Sequence, residues 1–293
     1  MKIITAVVNN PIFIEIQYHT LKKHVKGHFA FMVFNDAKGF PDFTNGGNSS
    51  IKYDIENTCK KLNLKHIEIP NEEHRTLQDP ALRCADSMNY ILNYQINNPD
   101  KYLFIDSDMF LINDFETNTY EKYECSIVKQ RRSIKKRQFP WIKKTEKTID
   151  YFWNGLHYFD IENMSNLNEL NWDIKKYCDV GGMMQNWLTN QTARHSSYCN
   201  TNHNAHNIKI PIYYIHHLSS CQWGMNNLPT NLKHNESLIN FLTNDPRNLN
   251  NNFFCEIYDN RFFHYRAGGN WRKESMEVHE ELSKKLKNIF LRN

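Results

Sequence analysis

The sequence predicts an α/β fold with a mostly parallel central sheet, helices on both of its faces, and a smaller C-terminal region. Three observations predict it. Strand-like and helix-like segments alternate over the first 130 residues, which implies parallel strands joined by helical crossovers. The strand-like segments are continuous apolar runs, as in strands covered on both sides. Several of these runs end abruptly in polar residues, where ligands bind in open parallel sheets.

The elements follow in order. "KIITAVV" (2–8) is β-branched and stops at Asn9-Asn10-Pro11, so it reads as a first strand. "PIFIEIQYHTLKKH" forms a first helix. "HFAFMVFND" (28–36) is a second strand ending in Asn35-Asp36. "YDIENTCKKLNL" (53–64) is helical and "KHIEIP" (65–70) is a short strand. Asp79 as N-cap and Pro80 behind it start a helix. Its apolar stripe is Leu82, Ala85, Met88, Leu92 and Ile96, which leaves Arg83 on the polar side. "NNPD" ends that helix, and "KYLFID" is the next strand.

After residue 150 the pattern loosens. "YFWNGLHYFDIEN" (151–163) reads as a strand with a turn-forming Asn-Gly inside it. "CDVGGMMQNWL" (178–188) reads as an acidic turn leading into a helix, and "IKIPIYYIHHL" (208–218) as a strand. Residues 261–275 read as strand, glycine turn and helix start. Apolar positions 278, 282, 286, 289 and 290 predict a closing helix over 273–291. There is no internal repeat. The chain divides into halves at 1–128 and 129–293, both within a single domain.

Composition sets limits. At 293 residues, 40% hydrophobic and 23% charged, the chain is that of a globular protein with ample core. No run approaches the ~18 apolar residues of a membrane span. "MKIITAVVNNPIF" reads as a strand rather than a signal peptide. The seven Cys are odd in number and contain no CxxC, which excludes a disulfide scaffold and points to the cytoplasm or another reducing compartment. The four Asn-x-Ser/Thr sequons, at Asn48, Asn163, Asn190 and Asn235, read as accidents of an Asn-rich chain. The net charge is +4, but residues 129–147 alone carry +8. Two readings stand for that segment: a solvated surface loop, or a patch for an anionic partner, with Phe139, Pro140 and Trp141 suiting a contact surface.

The chemistry centres on "KYLFIDSDMFLIND" (101–114). A buried strand ends in Asp106-Ser107-Asp108. In an extended segment, residues two apart face the same side. Two carboxylates about 5 Å apart repel by ~3 kcal/mol at an effective dielectric of about 20, so water, a basic group or a divalent cation must offset them. Hard cations take carboxylate oxygens and keep sites for a substrate diphosphate.

In this context the chain resembles the GT-A-type glycosyltransferases, a Rossmann-like fold, and within it the glycogenin-like group. Six blocks carry the resemblance in order: "ITAVVNNPIF", "FMVFND", "ALRCADSMNYIL" with "YLFIDSDMFLINDF", "WNGLHYFDIEN", "DVGGMMQNWL" and "FFHYRAGGNWR". They span 2–272.

The resemblance implies transfer of a sugar from a nucleotide-diphosphate sugar, a UDP-sugar, to a hydroxyl acceptor: a glycan, protein or small molecule. It makes Asp106, Asp108 and His264 ligands of Mn²⁺ or Mg²⁺, with Asp106 also touching the nucleotide. Asn9, Asn10, Asp36 and Arg83 fall at donor-side positions. Gly268 and Gly269 allow backbone to approach phosphate, flanked by Trp271 or Arg272. Asn154 and Asp179 fall at sugar- and acceptor-side positions, with Asp179 the base if the configuration inverts; the glycogenin-like resemblance favours retention. The later half of the chain becomes the acceptor side.

There are two departures from the family pattern. Asn270 stands where the family has a basic residue, leaving Arg266, Arg272 or Lys273 to supply the charge, and "DVGG" replaces a second Asp-x-Asp. The other His, including His203/His206 and His216/His217, lack a zinc pattern. Two rivals remain. A nucleotidyltransferase would carry a glycine-rich loop where this chain reads "NNPIFIEIQ". An inactive binding module of the same fold, or a binder of an anionic partner through 129–147, would not need the Asp pair and the late His. A nucleic-acid partner is not expected.

Overall fold

A computed structural model describes residues 1–136, 145–201, 209–270 and 276–291. Phe139, Pro140, Trp141, His203, His206, Trp271, Arg272 and Lys273 lie outside the described residues. The strands are β1 (Lys2–Val7), β2 (Val25–Lys26), β3 (Ala30–Asn35), β4 (Lys65–Glu68), β5 (Lys101–Ile105), β6 (Met109–Leu111), β7 (Phe115–Glu116), β8 (Tyr123–Lys136), β9 (Thr145–Asp160), β10 (Ile210–Tyr214), β11 (His217–Leu218), β12 (Glu256–Tyr258) and β13 (Phe262–His264). The helices are α1 (Pro11–His24), α2 (Ile51–Lys61), α3 (Pro80–Asn97), α4 (Gln185–Thr201), α5 (Glu236–Thr243) and α6 (Met276–Leu291).

The fold is α/β with a mostly parallel central sheet flanked by helices, as the strand–helix alternation predicts. β1 pairs β3, β3 pairs β4 and β10 pairs β8, all parallel, while β8 and β9 are antiparallel. Contacts divide the chain into two units that interleave along it. One comprises Met1–Arg75, Phe104–Thr119 and His216–Asn293; the other comprises Thr76–Leu103 and Tyr120–Ile215.

In the first unit, β1 buries Ile3, Ile4 and Val7, and α1 begins directly behind it. The Asn10 side chain accepts the Ile12 N–H, and Pro11 occupies a position whose N–H has no helical partner. Lys22 and Lys23 close the helix where positive charge suits the macrodipole. A second, four-stranded sheet has the order β11-β12-β13-β6 and is antiparallel throughout. Its core includes Phe13, Phe110, Phe241, Phe263, Tyr265 and Leu286, so α1, α5 and α6 share one apolar cluster with it. Leu282 and Leu286 carry the buried stripe of α6, as the spacing predicts, and Val278 is exposed.

In the second unit, the Asn154-Gly155 pair does not break β9. Ile127 faces His157 and Val128 faces Trp153, so residues 154–156 bulge from a continuous strand. A Cβ on Gly155 would sit 2.3 Å from the Trp153 ring, and only glycine fits there. In α3 the predicted stripe residues Ala85, Met88 and Leu92 are buried, but at the helix start Leu82 is exposed and Arg83 is buried. The Arg83 guanidinium turns back to the Leu77 carbonyl, so it lines the helix start instead of facing solvent. The 208–218 run divides into β10 and β11, which belong to different sheets. Among the described residues, no helix is long and apolar enough to cross a membrane.

Candidate metal centre

The centre lies wholly in the first unit. Asp106 follows β5 and Asp108 precedes β6. Between them the chain does not continue extended, as two same-facing carboxylates would suggest. Met109 N–H donates to the Asp106 carbonyl at 3.0 Å, closing a tight turn. Ser107 N–H donates to Asp106 Oδ1 at 2.8 Å. From α1, the buried Gln17 donates to the Asp106 carbonyl at 2.8 Å and the Met109 carbonyl at 3.2 Å, clamping both ends of that turn.

Strand pairing brings the third residue. In the β6/β13 ladder, His264 faces Met109, and the next residue's N–H (Tyr265) donates to the Asp108 carbonyl at 2.9 Å. His264 therefore stands beside the Asp turn by register. Its Nε2 is 3.1 Å from Asp108 Oδ1 and 3.9 Å from Asp106 Oδ2. One ligand atom from each of Asp106, Asp108 and His264 lies within 4.8 Å of the others.

Glu256 completes the arrangement, and the motif reading missed it. It faces His264 across the β12/β13 pair, and its Oε2 is 2.9 Å from His264 Nδ1. Glu256 also accepts from Ser220 N–H at 3.1 Å and from the Tyr258 hydroxyl at 2.8 Å. A signal was present in "EIYDNRFFH": Asp259-Asn260 is a turn pair, and both residues take positive φ, 46° and 54°. A hairpin folded at that pair makes 256 and 264 cross-strand neighbours.

The glycine segment follows β13. Gly268 N–H donates to Asp108 Oδ2 at 2.6 Å. A Cβ on Gly268 would lie 2.5 Å from the Tyr265 ring and 2.8 Å from Phe13, so the approach requires glycine. Gly269 is open by comparison, with Asn9 Oδ1 and Ser107 Oγ the nearest atoms at 3.7 and 3.8 Å from such a Cβ.

The charges are strongly coupled. Burial and the neighbouring Asp108 push the Asp106 carboxyl up to about 7; its side chain is 36% exposed, and water on that side moderates the effect. Burial alone would raise Asp108 as well, but the charge of His264 and the Gly268 N–H hold it below the usual carboxylate range. Burial disfavours the His264 imidazolium, yet Asp108 and Glu256 more than offset this and push it up to about 10. Glu256, buried too, is drawn down to about 2 by His264 and its N–H and O–H donors.

The donor set fits a hard or borderline divalent cation. Two carboxylates and one imidazole are groups that could hold a metal ion. Asp108 Oδ1 is buried and accepts no aligned hydrogen bond among the described residues, although the imidazole charge is close. Glu256 at Nδ1 fixes the imidazole and leaves Nε2 toward the two Asp carboxylates.

The remaining candidates stand as follows. Asn9 is buried, and its amide donates to the carbonyls of Thr44 and Gly269, both at 2.7 Å. Asn10 caps α1 and donates to Ser283 on α6 at 3.0 Å. Asp36 is buried with Lys38 and Asn71, its Oδ1 accepting from them at 2.8 and 3.0 Å. In the second unit, Asn154 donates to Cys84 Sγ at 3.4 Å, and Asp179 pairs with Arg132 at 3.2 Å. Of the basic segment, Lys129 and Arg131 both pair with Asp150. Trp271 and Arg272 are outside the described residues.

No protein-family model matches the chain, and no curated protein matches it. Among solved structures, the apo structure of WbbM, a bifunctional glycosyltransferase, matches at 11% sequence identity and a TM-score of 0.34. The match covers 58% of this chain and 33% of that one, so the chain spans about a third of that structure's length. That likeness is too small to carry a function.

Proposed function

We propose that this chain is a metal-dependent glycosyltransferase, transferring a sugar from a nucleotide-diphosphate sugar, first of all a UDP-sugar, to a hydroxyl acceptor. The observation that carries this is the convergence of Asp106, Asp108 and His264, backed by Glu256 and bordered by Gly268 and Gly269. Bound there, Mn²⁺ or Mg²⁺ would supply Lewis-acid stabilisation to a departing diphosphate.

The chain's own groups have distinct parts. Glu256 keeps the proton on His264 Nδ1 and so presents Nε2 to the site. The N–H groups of Tyr265 and Gly268 hold Asp108 from two sides. Gly269 leaves space for phosphate to approach backbone, and Arg266, 45% exposed, offers positive charge nearby in sequence. In this reading Asn9 and Asn10 shape the donor side by fixing loops around it, and Asp36 does so through Lys38 and Asn71. Asp106 also meets the nucleotide. Arg83 and Asn154 are proposed on the donor and sugar sides. Asp179, paired with Arg132, is the proposed base if the configuration inverts; retention, which the glycogenin-like resemblance favours, needs no such base.

The test is a thermal-shift screen of nucleotides and nucleotide sugars with and without Mn²⁺, followed by assay of donor hydrolysis. The expected result is stabilisation by a nucleotide sugar that requires Mn²⁺ and is lost in Asp108→Ala and His264→Ala. Absence of any Mn²⁺-dependent stabilisation, together with no donor hydrolysis, sinks the proposal.

A further inference from the structure

Arg247 sits in the loop after α5 and forms a buried ion pair with Asp245, their side chains 15% and 1% exposed. Its Nε and Nη2 donate to the two Asp245 oxygens at 2.8 and 2.6 Å. Its Nη1 donates to the carbonyls of Tyr265 and Arg266 at 3.2 and 2.8 Å. The guanidinium plane lies 4.1 Å from the centre of the Tyr265 ring. A buried ion pair is a poor source of stability, because desolvation offsets most of the attraction. Its use here calls for a reason other than packing.

The two carbonyls it grips precede an unusual piece of backbone. Arg266 and Ala267 take φ of +31° and +62°, which non-glycine residues rarely adopt and which the surroundings must hold. The next N–H, of Gly268, reaches Asp108 Oδ2 at 2.6 Å. The chain of contacts therefore runs from Asp245 through Arg247 to the turn, and from the turn to Asp108.

The geometry points to Arg247 as a positioning residue for the metal centre: it holds the 265–268 turn, whose Gly268 N–H aims the Asp108 carboxylate while the Tyr265 N–H holds the Asp108 carbonyl. This role rests on the reading of Asp106, Asp108 and His264 as a metal site. Only arginine has the planar fork to serve a carboxylate on one side and two carbonyls on the other. A lysine reaches one or the other.

The test measures Mn²⁺ affinity by calorimetry and amide hydrogen exchange at Gly268 by NMR. Arg247→Lys should weaken Mn²⁺ binding ten- to a hundredfold, the usual effect of losing outer-shell support, and should speed Gly268 exchange at least about tenfold. The double variant Asp245→Asn/Arg247→Gln, which leaves no lone buried charge, should do the same. Leu238→Ala in the same apolar cluster serves as the comparison, lowering Tm while leaving both readouts within about twofold of wild type. Wild-type Mn²⁺ affinity and slow Gly268 exchange in both Arg247 variants would overturn the assignment. If wild type and Asp108→Ala bind Mn²⁺ equally, the metal reading falls instead; Gly268 exchange needs no metal and still decides whether Arg247 holds the turn.

Discussion

Glu256 and His264 face each other across one antiparallel pair, and their side chains meet at 2.9 Å. The contact makes His264 a fixed rather than a rotating group. Its consequence for a cation is direct, since the imidazole can offer only Nε2 while Nδ1 is held. Glu256→Gln keeps the shape but removes the charge, and an amide can turn its NH₂ toward Nδ1. We expect Mn²⁺ affinity to fall ten- to a hundredfold, measured by titration calorimetry, with the circular dichroism spectrum unchanged.

Metal binding should strengthen with pH. His264 is held protonated to about 10, and Mn²⁺ must displace that proton from Nε2. With one proton displaced, affinity rises up to about tenfold per pH unit below that value. Asp106, pushed up to about 7, adds a second proton to displace below neutrality. Calorimetry from pH 6 to 8.5 in buffers of different ionisation enthalpy would count the protons released; a pH-independent affinity contradicts the assignment of His264 as a ligand.

The same histidine ties metal-free stability to pH. Its folded value of about 10 lies above the ordinary 6.5. Its stabilising contribution is thus fully present below pH 6.5 and is lost as pH rises through 10. The metal-free protein should show a Tm that declines over this window, and His264→Gln should flatten that decline. Thermal scans in a chelator-containing buffer series test this.

Gly268 and Gly269 should respond differently to alanine. At Gly268 the added methyl meets the buried Tyr265 and Phe13 rings at 2.5–2.9 Å, and overpacking of this kind costs ~1–3 kcal/mol. At Gly269 the nearest atoms are 3.7 Å away, and the change should stay within about 0.5 kcal/mol. Urea unfolding of both variants settles the comparison, and equal losses would contradict it.

Gln17 should matter far more than its place in a helix suggests. Gln17→Leu removes the side-chain donor to the Asp106 and Met109 carbonyls and leaves Asp106 only the Met109 N–H, a loss of ~1–3 kcal/mol. Denaturant unfolding would measure it. Mn²⁺ affinity should fall in parallel, because the Asp106 turn is no longer held.

The Asp turn and the late His were legible because each sits at the end of an apolar strand, where composition changes within one residue. Pairing was less legible, the Asp259-Asn260 turn being the one sequence signal for it. Glu256 becomes part of the centre only through the register of β12 with β13, and Gln17 only because α1 lies against the Asp turn. Polar strand ends carry a second duty. Asn9 and Asn10 read as donor-side residues, and their side chains bond the Thr44 and Gly269 carbonyls, the α1 N-terminus and Ser283. A polar side chain at a strand end satisfies backbone as readily as it meets a ligand. Arg83 is a similar case, an arginine buried by a nearby carbonyl that no periodicity marks.

Asp108 and the Gly268 N–H that anchors it are 160 residues apart in the chain. During synthesis the Asp pair therefore leaves the ribosome long before the turn that completes its surroundings. Until that turn arrives, the two carboxylates stand at the end of an apolar strand without the imidazolium of His264 or the Gly268 N–H. A centre assembled from such distant segments closes late and all together, so its formation is a marker for completed folding of the unit that carries it.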